Sequence, residues 1–266
     1  MTSHTGRTAL ITGAARGIGA VIARRLAADG AAVALLDMSP AAEDVAAEIR
    51  AAGGRASAHM VDLADAEAIT RGVDEARAAL GPVNILVNNA GITNNIAPLS
   101  RMKADAWQRE MAVNLTAPML LIQQVIGDMV SGRWGRIVNV SSLGASGGLH
   151  NQVGYAASKS GLLGLTKTVT LEHARHGVTC NAILPGLIGT EMVRKMPQEI
   201  IDASLRATPA ERLGEMTEIA ALVAFLASDE AGYINGAEIP VDGGTRLNAT
   251  ALGSRKEASA RSGAAS

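Results

Sequence analysis

Short runs of β-branched and aliphatic residues alternate along this chain with longer Ala-rich segments whose apolar positions recur at helical spacing. The runs predict strands at Thr8–Ile11, Ala32–Leu36, Ala56–Val61, Ile85–Val87, Arg136–Val140, Thr179–Leu184 and Glu238–Val241. Helices are expected at 17–29, 41–52, 65–80, 104–130, 154–175 and 215–227, with Gly30, Gly53, Gly81 and Gly177 as stop signals. Several of the strands are apolar along their whole length, as strands are when helices cover both faces of a sheet. The alternation predicts an α/β fold: one Rossmann-like domain over residues 1–248, with a doubly wound, parallel, seven-stranded sheet and helices on both faces. From about Ala249 the chain is small and polar, too poor in large apolar groups to offset its ordering entropy, and a disordered tail is expected there.

Composition narrows the class. With 48% hydrophobic residues in 266, one large core is available. Twenty-four basic against twenty-five acidic residues leave a formal net charge of −1, which gives no electrostatic case for nucleic acid or an anionic membrane. The lone Cys180 cannot form an intramolecular disulfide, and its apolar neighbours point to a buried, inert thiol. The N-terminus lacks a basic region followed by an apolar stretch, and no run approaches a membrane span, so a cytoplasmic protein is expected. No metal site is expected.

The first strand runs into TGAARGIG, residues 12–19. Its Gly13, Gly17 and Gly19 permit a tight turn and close backbone approach to a pyrophosphate at a helix N-terminus, with Arg16 and Ile18 between them. The spacing is G-x-x-x-G-x-G and departs from the commoner dinucleotide pattern, so a turn serving only packing is the competing reading. Position favours the nucleotide, because the second strand ends in Asp37, about 20 residues on, where a carboxylate accepts from ribose hydroxyls and repels a 2′-phosphate. Met38 stands where an arginine would neutralise that phosphate, so NAD(H) is favoured over NADP(H), with Arg16 as the dissenting residue. Asp62 and Leu63 end the third strand where they can bound an adenine, although Asp62 equally suits a helix cap. NNAG, residues 88–91, places Asn89, Ala90 and Gly91 on the same groove. Its amides alternatively tie neighbouring loops together.

YAASK, residues 155–159, sets Tyr155 and Lys159 one helical turn apart on the same face. A cation beside a phenol stabilises the phenolate and lowers its pKa, which suits acid–base work, although a tyrosine packed on a lysine stem is the commoner meaning of such a pair alone. Ser142 precedes Tyr155 by 13 positions across a Gly-rich loop, and Asn114 sits in a largely apolar segment that demands a specific partner.

Together TGAARGIG, NNAG, Asn114, Ser142, YAASK and PGLIGT (residues 185–190) resemble the short-chain dehydrogenase/reductase family, from about Arg7 to Leu247. The resemblance implies a tetrad of Asn114, Ser142, Tyr155 and Lys159. In it Tyr155 exchanges a proton with the substrate oxygen, and Ser142 donates a hydrogen bond to that oxygen. Lys159 lowers the tyrosine pKa and binds the nicotinamide ribose, and Asn114 holds a water. It also implies that Pro185, Gly186, Ile188 and Thr190 contact the nicotinamide amide. Segments 93–100, 143–152 and 187–200 then surround the reacting carbon, the last as a lid, with Asn94, Leu143, His150, Gln152, Leu187, Met192 and Met196 as candidate substrate contacts.

The closest look is to 3-oxoacyl-thioester reductases, 3-hydroxyacyl dehydrogenases and cyclic alcohol dehydrogenases. The expected substrate is a ketone or secondary alcohol, either a CoA or carrier-protein thioester approached past Arg101, Lys103, Arg194 and Lys195, or a small cyclic or benzylic alcohol. Asp37 departs from the NADPH-using biosynthetic reductases and tilts the reading toward oxidation. An NADPH-dependent 3-oxoacyl-carrier-protein reductase is the alternative, and a non-catalytic dinucleotide sensor or scaffold the alternative of another class. A homotetramer is implied by the resemblance.

Overall fold

Strand β1 (Thr8–Thr12) is buried at every position and sits mid-sheet, with β2 (Ala32–Asp37) on one side and β4 (Ile85–Asn88) on the other. The computed structural model describes residues 3–247. All seven strands pair in parallel in the order β3-β2-β1-β4-β5-β6-β7, where β3 is Arg55–Met60, β5 Gly135–Val140, β6 Val178–Pro185 and β7 Glu238–Val241. The winding direction reverses between β1 and β4. The carboxyl ends of those two strands therefore diverge into a crevice, the usual ligand position of such sheets.

Side chains on successive strand residues point to opposite faces, and this divides the core. Ala9 and Ile11 pack with Ile22 and Leu26 of α1 (Gly17–Ala28), Val45 and Ile49 of α2 (Ala42–Ala51), and Ile219 and Val223 of the last helix (Met216–Leu226). Leu10 faces the other way, toward Ile69 and Val73 of α3 (Ala66–Leu80). Each of these Leu, Ile and Val side chains, withdrawn from water, contributes about 1.5–3 kcal/mol. Cys180 lies in this second layer, where burial pushes its thiol up to about 12, leaving it protonated near neutrality.

The helix expected over 104–130 is present but not uniform. It runs as α4 (Ala104–Met111), a π turn (Ala112–Thr116) and α5 (Ala117–Ser131). Pro118 has no N–H to give the carbonyl of Asn114 four residues earlier, so the regular ladder cannot continue there. Within this continuous stretch, Ala104–Ser131, the most apolar 18 residues reach a mean hydropathy of 1.2, which by length and composition alone matches a membrane span as well as a core helix. Its apolar side, including Leu121, Val125 and Met129, is buried against the sheet.

Three short helices arise in segments expected to be loops: α6 (Gly144–Gly147), α8 (Glu191–Arg194) and α9 (Gln198–Ala207). They flank α7 (Val153–His173), and Met216–Leu226 is α10. The expected tail from Ala249 and the boundary at 248 lie outside the described residues.

Candidate active site

At the crevice, Gly13 and Gly17 take φ of +66° and +59°, the left-handed region that glycine enters without strain. A Cβ on Gly13 would lie 2.9 Å from the Ala90 Cα, so the loop and the end of β4 approach to backbone contact. Gly19 sits beneath the loop, where a Cβ would meet the Gly13 carbonyl oxygen at 2.2 Å, so its contribution is to packing. Arg16 takes the extended N-cap position of α1, which puts the positive end of that helix at the crevice.

The amides of NNAG do the tying that the sequence left open. Asn89 Nδ2 donates to the carbonyls of Thr12 (2.9 Å) and Gly13 (3.1 Å), while Thr12 Oγ1 accepts from the N–H groups of Asn89 and Ala90. Asp37 is likewise bound into the frame: Oδ2 accepts from Ala15 N–H at 3.0 Å and Oδ1 from Ser39 N–H at 2.9 Å. A carboxylate has about four lone-pair sites, so acceptor capacity toward ribose hydroxyls remains.

These groups line one cleft of about 850 Å³, with Ile18, Leu63 and Gly91 on its walls. Asp62 lines it too, accepting from Ala64 N–H and from both terminal nitrogens of Arg109. The Ala64 N–H, then the Arg109 guanidinium, hold its carboxyl below the ordinary range. The cap of α3 is Asp65 instead, which accepts from Glu67 and Ala68 N–H. Arg109 had no signal in the sequence beyond being a charge on an amphipathic helix. On the far wall stand Thr190, Glu191, Met192 and Lys195. The Glu191 carboxyl is held low by Lys195 first and by Arg16 across the cleft.

Behind Gly91 lies the chemistry. Lys159 is 3% exposed, and its Nζ is 3.1 Å from the point a Gly91 Cβ would occupy. It donates to the Val140 carbonyl at 2.8 Å, while Ser141 Oγ donates to the Lys159 carbonyl at 2.9 Å, which fixes α7 against the end of β5. Burial lowers the Lys159 pKa to about 8. Its ammonium has three N–H groups and, among the described residues, one acceptor. With the glycine cradle, that surplus of donors fits a dinucleotide whose ribose hydroxyls would lie at the inner end of the cleft.

Tyr155 departs from expectation in its electrostatics. Burial raises its pKa and a hydrogen bond with Ser142 only partly opposes this, so the protein's own groups push the phenol up rather than down. The reason is geometric: Lys159 Nζ is 5.7 Å from the ring centroid and bonds to Val140 O. Ser142 Oγ accepts from Gly144 N–H at 3.1 Å, which leaves its own proton free to donate. Asn114 is fully buried, with Oδ1 accepting from Ile92 N–H (2.8 Å) and Nδ2 donating to Ile92 O (2.9 Å) and Ser158 Oγ (3.1 Å). Its side chain thus anchors β4's exit to α7, and Oδ1, with one donor, keeps a second lone pair.

The remaining candidates spread out. Pro185 ends β6, and Gly186 donates its N–H to Val241 O, so closely packed that a Cβ would meet Asp242 Cα at 2.9 Å. Leu187 and Ile188 line a separate cavity of about 70 Å³, because Ile188 pairs with Gly214 in a bridge that turns its side chain inward. Leu143 packs on Leu163 and Leu184. Asn94 and His150 are exposed, and Gln152 and Met196 are half-buried.

Exchanging hydride with an alcohol carbon requires a dinucleotide and a proton carrier at one place, and this sheet edge holds a cradle for the first beside a Ser–Tyr–Lys set for the second. The class is a dinucleotide-dependent oxidoreductase acting on CH–OH groups. Residues 13–246 match the family model described as enoyl-(acyl carrier protein) reductase. The chain is 43% identical over 239 residues to an acetoacetyl-CoA reductase of Shinella zoogloeoides, covering 90% of this chain and 98% of that one. It is 41% identical over 246 residues to a (3R)-3-hydroxyacyl-CoA dehydrogenase of Canis lupus familiaris, covering 89% and 95%. A blue fluorescent protein from a metagenomic library, solved with NADPH, superposes with a TM-score of 0.85 at 40% identity, covering 91% and 99%. The chain belongs to the short-chain dehydrogenase/reductase family.

Proposed function

We propose that the chain interconverts a secondary alcohol and its ketone with NAD(H) in preference to NADP(H), acting on a 3-hydroxyacyl or 3-oxoacyl thioester. The observation that carries this reading is that Ser142 and Tyr155 stand beside a buried Lys159, at a cleft whose ribose-side group is Asp37. When bound, the nicotinamide supplies the hydride acceptor or donor. Tyr155 passes a proton to or from the substrate oxygen, and Ser142, held by Gly144 N–H, donates to that oxygen as charge develops on it. Lys159, with N–H groups to spare beyond the Val140 carbonyl, would meet the ribose hydroxyls.

Asp37 supports NAD(H), since its two oxygens face the ribose side already fixed by Ala15 and Ser39. A second reading, NADPH-dependent 3-oxoacyl reduction, is favoured by Arg16 on the same wall; against it, Arg16 stands opposite Glu191, which already draws on its charge. The names of the relatives support a thioester before a small cyclic or benzylic alcohol. A cytoplasmic homotetramer is part of the proposal; Leu171, 85% exposed on α7, supports a covered outer face there. The test is a panel of 3-hydroxyacyl-CoA esters and cyclic and benzylic alcohols with each cofactor. A higher kcat/KM with NAD(H) on a thioester is expected. Turnover only with NADP(H), or none with cofactor binding demonstrated, would overturn the proposal.

A further inference from the structure

Glu110, the residue before the last of α4, is a charged residue 1% exposed to solvent and four positions before Asn114. Burying a carboxyl is costly unless its oxygens are satisfied. Here Oε1 accepts from the backbone N–H groups of Asn94 (2.5 Å) and Asn95 (3.2 Å), in the loop that leaves β4. The other oxygen lies against Gly154: a Cβ there would fall 2.2 Å from Oε2. Gly154 precedes Tyr155 in the first turn of the 21-residue α7, whose positive end favours an acidic neighbour. The same loop is held at its start by Asn114, through Ile92, and further on by Ala97 N–H donating to Asn151 O at 2.8 Å.

We infer that Glu110 is a positioning residue for substrate. It clamps the 94–97 segment onto the N-terminal turn of α7 and so sets the distance between that loop and the Tyr155 hydroxyl. The inference rests on the proposed reading only in taking this loop as a wall of the substrate site. A hydrophobic residue at 110 would fill the space but leave two loop N–H groups without acceptors, whereas Gln keeps a carbonyl at Oε1. Gly154 is the complementary half of the clamp, because any side chain there displaces the carboxyl.

Two readouts test this. In amide hydrogen exchange, which needs no substrate, Asn94 and Asn95 should exchange at least tenfold faster in Glu110→Val than in wild type, and within threefold of wild type in Glu110→Gln. With a substrate turned over by the wild type, Glu110→Val should raise its KM tenfold or more with kcat within threefold and NADH affinity unchanged, and Glu110→Gln should restore KM. Gly154→Ala should reproduce the KM increase alone and add little to it in the Glu110→Val background. Unchanged exchange at Asn94 and Asn95 in Glu110→Val overturns the inference whatever the protein's activity. So does a fall in kcat and thermal stability with no change in KM. Lack of turnover by the wild type would count against the proposed function instead, leaving the exchange result to decide.

Discussion

Lys159 is kept in a place where its charge is expensive, and removing it should make the protein more stable and less active. The fall of its pKa from 10.5 to about 8 corresponds to roughly 3 kcal/mol, at about 1.4 kcal/mol per factor of ten in the acidity constant. Lys159→Met removes the charge in a side chain of similar length and gives up the hydrogen bond to Val140 O, worth about 1–1.5 kcal/mol. The balance predicts a net gain of about 1–2 kcal/mol at pH 7, or about 2–6 °C in Tm for a chain of this size. The pH dependence carries the signature. Because the folded pKa lies below the unfolded one, the unfolded chain binds more protons between pH 8 and 10.5, and wild-type stability rises with pH across that window. The penalty is complete below pH 8 and gone above 10.5, so the advantage of Lys159→Met should shrink from pH 8 upward. Urea unfolding of both proteins at one fixed protein concentration, from pH 7 to 10.5, measures it. A variant less stable than wild type at pH 7, or an advantage independent of pH, would refute the reasoning.

Gly13→Ala should lower cofactor affinity at least tenfold and stability by about 1–3 kcal/mol, since the residue holds φ +66° with Ala90 Cα 2.9 Å from its missing Cβ; calorimetric titration with NADH and urea unfolding check both. Asp37→Ser should raise the NADPH/NADH ratio of kcat/KM about tenfold or more, with a small loss of stability from the bonds to Ala15 and Ser39; steady-state kinetics with both cofactors measures it. Because burial raises the Tyr155 pKa, the phenol is protonated near neutrality, so kcat/KM for alcohol oxidation should climb with pH while that for ketone reduction stays level until the phenol ionises; profiles over pH 6–10 compare the two directions.

The sheet was legible because several of its strands are continuous apolar runs, and each strand lies within a residue or two of its expected span. The glycine loop, Asp37 and NNAG followed from their positions at strand ends. What escaped was set by contacts between distant segments. Pro118 was the one local hint of the π turn at Ala112–Thr116, and the bonds from Asn114 to Ile92 that accompany it join segments distant in sequence. The 187–200 segment read as a lid, and the helical turn within it that Thr190 caps by accepting from Val193 N–H was not read. The direction of the Tyr155 pKa also escaped, because four-residue spacing places Lys159 on the right face but does not say that its ammonium will turn to Val140 O. Glu110 carries no local signal of burial, because the N–H groups it accepts from belong to Asn94 and Asn95 in a different segment.

The most direct measurement is of hydride transfer and cofactor binding together in Tyr155→Phe, on whichever alcohol the wild type oxidises. The expected result is a loss of about 10²–10⁴ in kcat with the NADH dissociation constant within threefold of wild type, since the phenol hydroxyl moves a proton and does not hold the dinucleotide. Near-normal turnover, or a loss accounted for by weakened NADH binding, would contradict a proton-transferring role for Tyr155.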